Sequence, residues 1–423
     1  MRTRSVLAAG AIVCAALSVP TISRSAATPE SVLGHYSDIA LAKYEDSLAT
    51  ARDLKTAVET FLQTPSASNL EAARTAWIRA RVPYQQTEVY RFGNAIVDEW
   101  EGRVNAWPLD EGLIDYVDVS YGTESDENTL YTANIIANPK ITVNGEPVDA
   151  ASITPALLQS LNEAGEIEAN VTTGYHAVEF LLWGQDLNGN GPGAGNRPFT
   201  DFSLSDCTNG SCERRRAYLQ AATDLLISDL EEMVANWTSN GDARTALLSD
   251  TNAGLSIILT GMGSLSYGEL AGERMKLGLL LNDPEEEHDC FADNTHNSHL
   301  YNSVGIRNVY RGEYRRLDGS LVSGPSIADL VSATDNGVNT ELLNKLDVTI
   351  AAMETMAERA ETVEAYDQMI GEGNTEGNAV VQAAIDALVD QTRSIERAVA
   401  ALALDTIEFE GSDSLDNPNA VFQ

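Results

Sequence analysis

Apolar residues recur at three- and four-residue spacing along most of this chain, the period of helices with one buried face. The spacing predicts a helix over His35–Gln63 that stops before Pro65. A second is expected over Ser68–Phe92, with Ser68 or Asn69 as N-cap and Glu71 in its first turn. Further helices are expected over Ile153–Leu161, Glu166–Trp183, Glu213–Asn240, Thr251–Leu281, Asn339–Tyr366 and Glu376–Thr406. Residues 93–150 break the period with scattered Gly, Pro, Asn and Asp, which predicts short helices and loops. Within them, Lys140–Pro147 reads as a hairpin turning at Asn144-Gly145. Two polar loops, Gly184–Cys212 and Asn282–Gly305, interrupt the helices, and loops of that length are usually functional or mobile. The expected fold class is all-α, with one helical domain over residues 28–212, a second over 213–410 and a frayed tail over 411–423.

The first residues do not belong to that fold. Arg2 and Arg4 precede an apolar run from Val6 to Val19, and Ser25-Ala26-Ala27 offers small residues for cleavage, so residues 1–27 read as a secretory signal peptide. Ile12-Val13 suit a lipid-modified Cys14 poorly, which argues against a lipid anchor. No later stretch reaches the roughly 18–20 apolar residues a membrane span needs. The chain carries 27 basic and 63 acidic residues, a net charge of −36 that grows once the arginines of the leader are removed. That balance excludes nucleic acid, whose recognition needs a basic face, and anionic membrane surfaces. It would concentrate cations near the protein, although solubility alone accounts for it. Cys207-Thr-Asn-Gly-Ser-Cys212 reads as a small disulfide-closed loop with its turn at Asn209-Gly210, permitted in an oxidising compartment. Cys290 has no evident partner.

The strongest chemical signal is Gly174-Tyr175-His176-Ala177-Val178-Glu179, running on into Phe180-Leu181-Leu182-Trp183. Residues three apart on a helix share a face, so His176 and Glu179 point the same way among apolar neighbours. Burying polar groups without partners costs about 1–3 kcal/mol each. A metal ion would satisfy both groups; so would a neutral histidine hydrogen-bonded to its neighbour. Helix bundles hold carboxylate-bridged iron with this spacing, there with the Glu first.

Other acids and histidines extend the candidate set. Pro83 kinks the helix before Glu88, which is either a ligand or a solvent-facing glutamate. Trp107-Pro-Leu-Asp110-Glu111-Gly112 places two acids in a tight apolar turn, one of them expected to face inward; such oxygen ligands suit hard ions. Glu269 and Glu273 lie one helical turn apart in a glycine-rich stretch before Arg274, as cleft residues or as intrahelical salt-bridge partners. His288, His296 and His299 gather three of the five histidines into one polar loop, a second metal site or a plain surface edge. Asp186-Leu-Asn188-Gly-Asn190-Gly191 begins like a calcium loop, but its twelfth position is Arg197 where a bidentate glutamate is required. No His-Glu-x-x-His or His-x-x-Glu-His zinc-protease motif, Gly-x-Ser-x-Gly elbow, phosphate loop or dinucleotide fingerprint is present.

Taken together, these blocks resemble the imelysin family, on its iron-regulated protein A branch. Gly174-Tyr-His176-Ala-Val-Glu179 matches the family's Gly-x-His-x-x-Glu signature. Arg79–Glu88, Trp107–Gly112, the Gly184–Asp201 loop, Gly268–Met275 and His288–His296 follow the family pattern in order. The resemblance implies two four-helix-bundle-like domains and an exported, periplasmic protein linked to iron uptake. It implies His176 and Glu179 as metal ligands, Glu88 and Asp110 as third and fourth, and Glu269, Glu273, His288 and His296 closing an interdomain cleft. The expected cargo is iron, ferric or ferrous and in one or more ions, ahead of zinc. A periplasmic or membrane transport partner would receive it. The family also brings a peptidase label. With no recognisable metalloprotease motif, a binding protein is favoured over an enzyme. A metal-dependent peptidase and a non-catalytic module for haem or a protein are the alternatives.

Overall fold

The computed structural model describes residues 27–422, so the leader over residues 1–27 lies, except for Ala27, outside the described residues. The fold is all-α, with two small two-stranded hairpins among the described residues. Helix α1 (Pro29–Gln63) opens with a capping box between Thr28 and Ser31 and has Pro29 in its first turn. It ends two residues before Pro65, as expected. Helix α2 (Ala67–Gln85) starts from Ser66, whose hydroxyl accepts the Asn69 N–H at 3.2 Å. It stops at Gln85 instead of running to Phe92. Pro83 offers no N–H to the preceding turn, and the chain leaves the helix two residues later through a short 3-10 turn over Glu88–Tyr90.

Helix α3 (Gly174–Trp183) is shorter than the expected Glu166–Trp183. Gly174 sits at a φ of +79°, and a Cβ there would lie 2.3 Å from the Val104 carbonyl oxygen. The backbone therefore turns sharply into the helix against Val104, and only glycine fits that approach. All ten residues of α3 are buried. Helix α4 (Cys212–Trp237) follows the loop closed by the Cys207–Cys212 disulfide. Helices α1, α2, α3 and α4 pack pairwise into one bundle, so α4 shares the core of the N-terminal helices. The expected hairpin is present as β1 (Lys140–Val143) and β2 (Glu146–Asp149), with Asn144 and Gly145 both at positive φ, the signature of a tight hairpin turn.

The second bundle begins with α5 (Thr251–Ser264), which widens without a break into a π-helical segment over Leu265–Lys276. Helices α6 (Thr295–Arg311), α7 (Asn336–Thr362) and α8 (Thr375–Ala401) complete it. Helix α6 starts inside the expected Asn282–Gly305 loop and is followed by a second hairpin, β3 (Glu313–Arg315) with β4 (Leu321–Ser323). Residues 411–422, a frayed tail by sequence, lie against the π segment. Glycines 263, 268 and 272 face Phe409, Glu410 and Ser412, and a Cβ on Gly268 would stand 2.5 Å from the Glu410 carbonyl oxygen. The Ser414 hydroxyl donates to the Gly272 carbonyl at 2.9 Å, and the Tyr267 hydroxyl to Asp416 at 2.7 Å. No helix among the described residues is long and apolar enough to cross a membrane.

A buried lysine on α1 helps tie the two bundles. Lys43 on α1 donates to the carbonyl of Gln86 at 2.9 Å and of Gly305, on α6, at 3.4 Å. Burial lowers its ammonium to about 7, against about 10.4 in an unfolded chain. Between those values the unfolded chain holds the extra proton. Lys43 therefore subtracts stability near neutral pH, and the loss fades as pH rises toward its unfolded value. Denaturation midpoints compared at neutral and alkaline pH should show this rise in the wild type, and the rise should be smaller in Lys43→Met whatever its absolute stability.

Candidate metal centre

The centre forms where α3 meets the segment leading into α6. His176 projects from the first turn of α3, and its Nδ1 lies 2.9 Å from Oε2 of Glu179, one turn later. The second carboxylate oxygen of Glu179 accepts the Ala292 N–H at 3.0 Å. Glu179 thus orients the ring of His176 and ties α3 to the approach of α6. The Nε2 of His176 is fully buried and has no hydrogen-bond partner. The ring of His288 stands over it, edge on, with centroids 4.7 Å apart. Ligand atoms of His176, His288 and Asp289 all lie within 4.8 Å of one another, and no other such trio occurs among the described residues.

Burial dominates the electrostatics. It holds both His176 and His288 well below the usual imidazole range, helped by Arg81 and Arg274 nearby. Both rings are therefore neutral and able to offer a lone pair. Burial also pushes Glu179 up, reinforced by the charge of Asp289. Asp289 moves the other way: Arg81 and hydrogen bonds from Asn294 and Ser298 outweigh its desolvation and lower it.

Arg81 is the cation beside the centre. One amino group donates to Asp289 at 2.8 Å and lies 3.4 Å from Nδ1 of His288; the other donates to Asn105 at 2.5 Å. The rings of Trp77, Tyr84 and Tyr175 surround its guanidinium at 5.1–5.6 Å. His288 opens onto a cavity of about 560 Å³, lined also by Trp107, Glu168, Glu269, Glu273 and Glu286. The walls of this cavity are mainly acidic, with Arg91 and Arg274 as their cations, and His288 is the member of the trio that lines it.

Of the residues singled out by sequence, His176, Glu179 and His288 come together and the others do not. Glu88 is buried, but Arg274 engages one oxygen at 2.7 Å and Asn105 the other at 3.1 Å. Asp110 is half-buried, bonded to Asn128, and it is its neighbour Glu111 that faces inward. Glu269 and Glu273 do not act as a pair. In a π-helix the partner on the same face lies five residues on, so Glu269 meets Arg274, whose Nε donates at 2.8 Å. Glu273 is left exposed at the cavity mouth. His296 is buried on α6 beside Asn297, outside the trio. Arg197, the residue that spoils the calcium-loop pattern, pairs with Asp115 at 2.7 Å. Sequence reasoning passes over Asp289, Arg81 and Asn105. Asp289 adjoins His288 and Arg81 lies within Arg79–Glu88, so each carries a signal in its neighbours; Asn105 carries none of its own.

Comparison with known proteins addresses the family and the fold. The family model for imelysin (peptidase M75) matches residues 40–395. The iron-regulated protein A of Synechococcus elongatus is 27% identical over 306 residues; the match covers 69% of this chain but 66% of that protein, just under two thirds of its length. A solved structure from Parabacteroides distasonis, described as an iron-regulated protein A precursor, shares the fold with a TM-score of 0.63 at 18% identity, over 91% of this chain and 98% of that one. The family match runs through both bundles and takes in every residue of the centre, and on that ground the chain belongs to the imelysin family.

Proposed function

We propose that this chain is an exported iron-binding protein that takes up ferrous iron through His176, His288 and Asp289, with Glu179 orienting His176. The observation that carries this reading is the buried, unpartnered Nε2 of His176 beside a second neutral imidazole and a carboxylate. Two imidazoles and one carboxylate with further positions open are the donor set of non-haem ferrous sites, whereas structural zinc prefers closed tetrahedral shells rich in thiolate. The iron-regulated relative supports an iron-related role. Export rests on the leader read over residues 1–27, and release of the iron to a transport partner is part of the same proposal. The peptidase label of the family is not adopted, because no hydrolytic motif accompanies the histidines.

One observation favours a second reading. Arg81 already neutralises Asp289 at 2.8 Å, so the cluster could serve as a buried polar latch between the bundles without any ion. Metal and guanidinium compete for the same carboxylate, and iron uptake then requires Asp289 to share its charge or Arg81 to shift.

Anaerobic titration with ferrous ion, read by calorimetry and by metal content after gel filtration, separates these readings. Binding by the wild type is expected, with loss in His176→Ala/Glu179→Ala and weakening of at least about 100-fold in His288→Ala, since even outer partners of metal ligands are worth about 10–100-fold. Helical circular dichroism should stay unchanged. Full iron stoichiometry in the double variant would end the iron reading. Arg81→Met should destabilise the protein by about 3–5 kcal/mol in chemical denaturation by stranding Asp289, and a second change, Asp289→Leu, should recover much of that loss.

A further inference from the structure

The residues of the centre are closed off from solvent. His176 and Asp289 are 0% exposed and His288 is 2% exposed. Anything that is to reach the unpartnered Nε2 of His176 does so only when a neighbouring group moves aside. Most neighbours are fixed. Trp77 and Tyr84 on α2 and Tyr175 on α3 pack around Arg81 and are 0–1% exposed. His288 is held by Arg81 and Asp289, each with an atom 3.4 Å from its Nδ1.

Trp107 differs from them. Its ring lies against that of His176, with centroids 5.3 Å apart and planes tilted by 55°, and it meets Phe291 at 6.0 Å. It is half-buried, and residues 106–108 belong to no helix or strand. The chain is pinned on either side: the Val104 carbonyl accepts the Tyr175 N–H at 2.7 Å, and the Asp110 N–H donates to the Ala169 carbonyl at 2.8 Å. The ring can therefore turn while the backbone around it stays in place.

Space for that turn exists on both sides. Trp107 lines the cavity of about 560 Å³ that His288 also lines, and a second one of about 520 Å³ bounded by Asp110, Tyr121, Tyr131 and Leu187. Exposed Glu273 stands in the wall of the first, and exposed Leu187 and Glu285 in the wall of the second, so both hollows reach the surface. His176 lines neither, and Trp107 with Pro108 is what the two hollows share. We propose that Trp107 is the gate of the centre: its indole ring closes over His176 and swings into a flanking hollow to admit a small species to Nε2. Such a gate sets how fast the site fills and empties, since a barrier crossed in both directions changes both rates alike. Its role rests on the iron reading, but its opening is measurable without iron.

Modification of the full chain by diethyl pyrocarbonate, located by peptide mass spectrometry, reports when a small neutral reagent reaches a neutral imidazole. His176 should react slowly in the wild type and at least about ten-fold faster in Trp107→Ala, where no opening step is left. His299, buried on α6 against Tyr366, is the internal control and should react alike in both. Trp107→Phe keeps a smaller ring and should fall between; it carries the test should Trp107→Ala fail to fold. In stopped-flow mixing with ferrous ion, uptake and release should both quicken in Trp107→Ala while the dissociation constant changes little, a split that a merely structural role would not give. Equal reactivity of His176 with and without the indole would overturn the gate, as would a parallel rise at His299, the mark of a loosened fold. A wild type that takes up no iron would end the iron reading instead, and the modification rates would still decide whether Trp107 opens.

Discussion

Two arginines buried between the bundles are each met by a carboxylate from the other side, and these pairs hold the halves of the protein in register. Arg81 on α2 meets Asp289 from the approach to α6, at 2.8 Å. Arg274 on the π segment meets Glu88, just past α2, at 2.7 Å. Removing one member of such a pair strands the other in a low-dielectric interior, so these contacts resist sliding in a way that apolar packing does not. On the same seam Glu179 of α3 accepts the Ala292 N–H at 3.0 Å, and His176 faces His288 there.

The same seam explains which parts of the structure are legible in the sequence. Helices α1, α7 and α8 pack on apolar faces, and their periodicity reveals them. The first half of helix α6 does not, because its buried residues are Thr295, His296, Ser298, His299, Asn302 and Ser303, and apolar ones (Ile306, Val309, Tyr310) begin only later. A helix whose hidden side is polar looks like a surface loop to any reading based on apolar spacing. The π segment misleads differently. The glycines that suggest close packing are read correctly, but the wider turn moves the facing partner of Glu269 from Glu273 to Arg274. For the centre, helical spacing is enough to place His176 with Glu179. The partners of His176 across the seam lie more than a hundred residues away and are set by tertiary structure alone.

Adjacent residues at positions 287 and 288 serve two different pockets. Glu287 has extended backbone angles, and side chains alternate in direction along extended chain. One face of this short segment therefore offers an imidazole to the histidine trio while the other presents a carboxylate to a small cavity lined also by Asp186 and Asp367.

The segment over residues 409–416 covers the glycine face of the π segment and follows every other major helix in chain order. During synthesis, the wall bearing Glu269 and Arg274 is thus finished from behind only after α8 has emerged. Until then the glycine groove is an open slot with exposed backbone. A stretch that follows α8 in the chain thus acts as the closing piece of the second bundle.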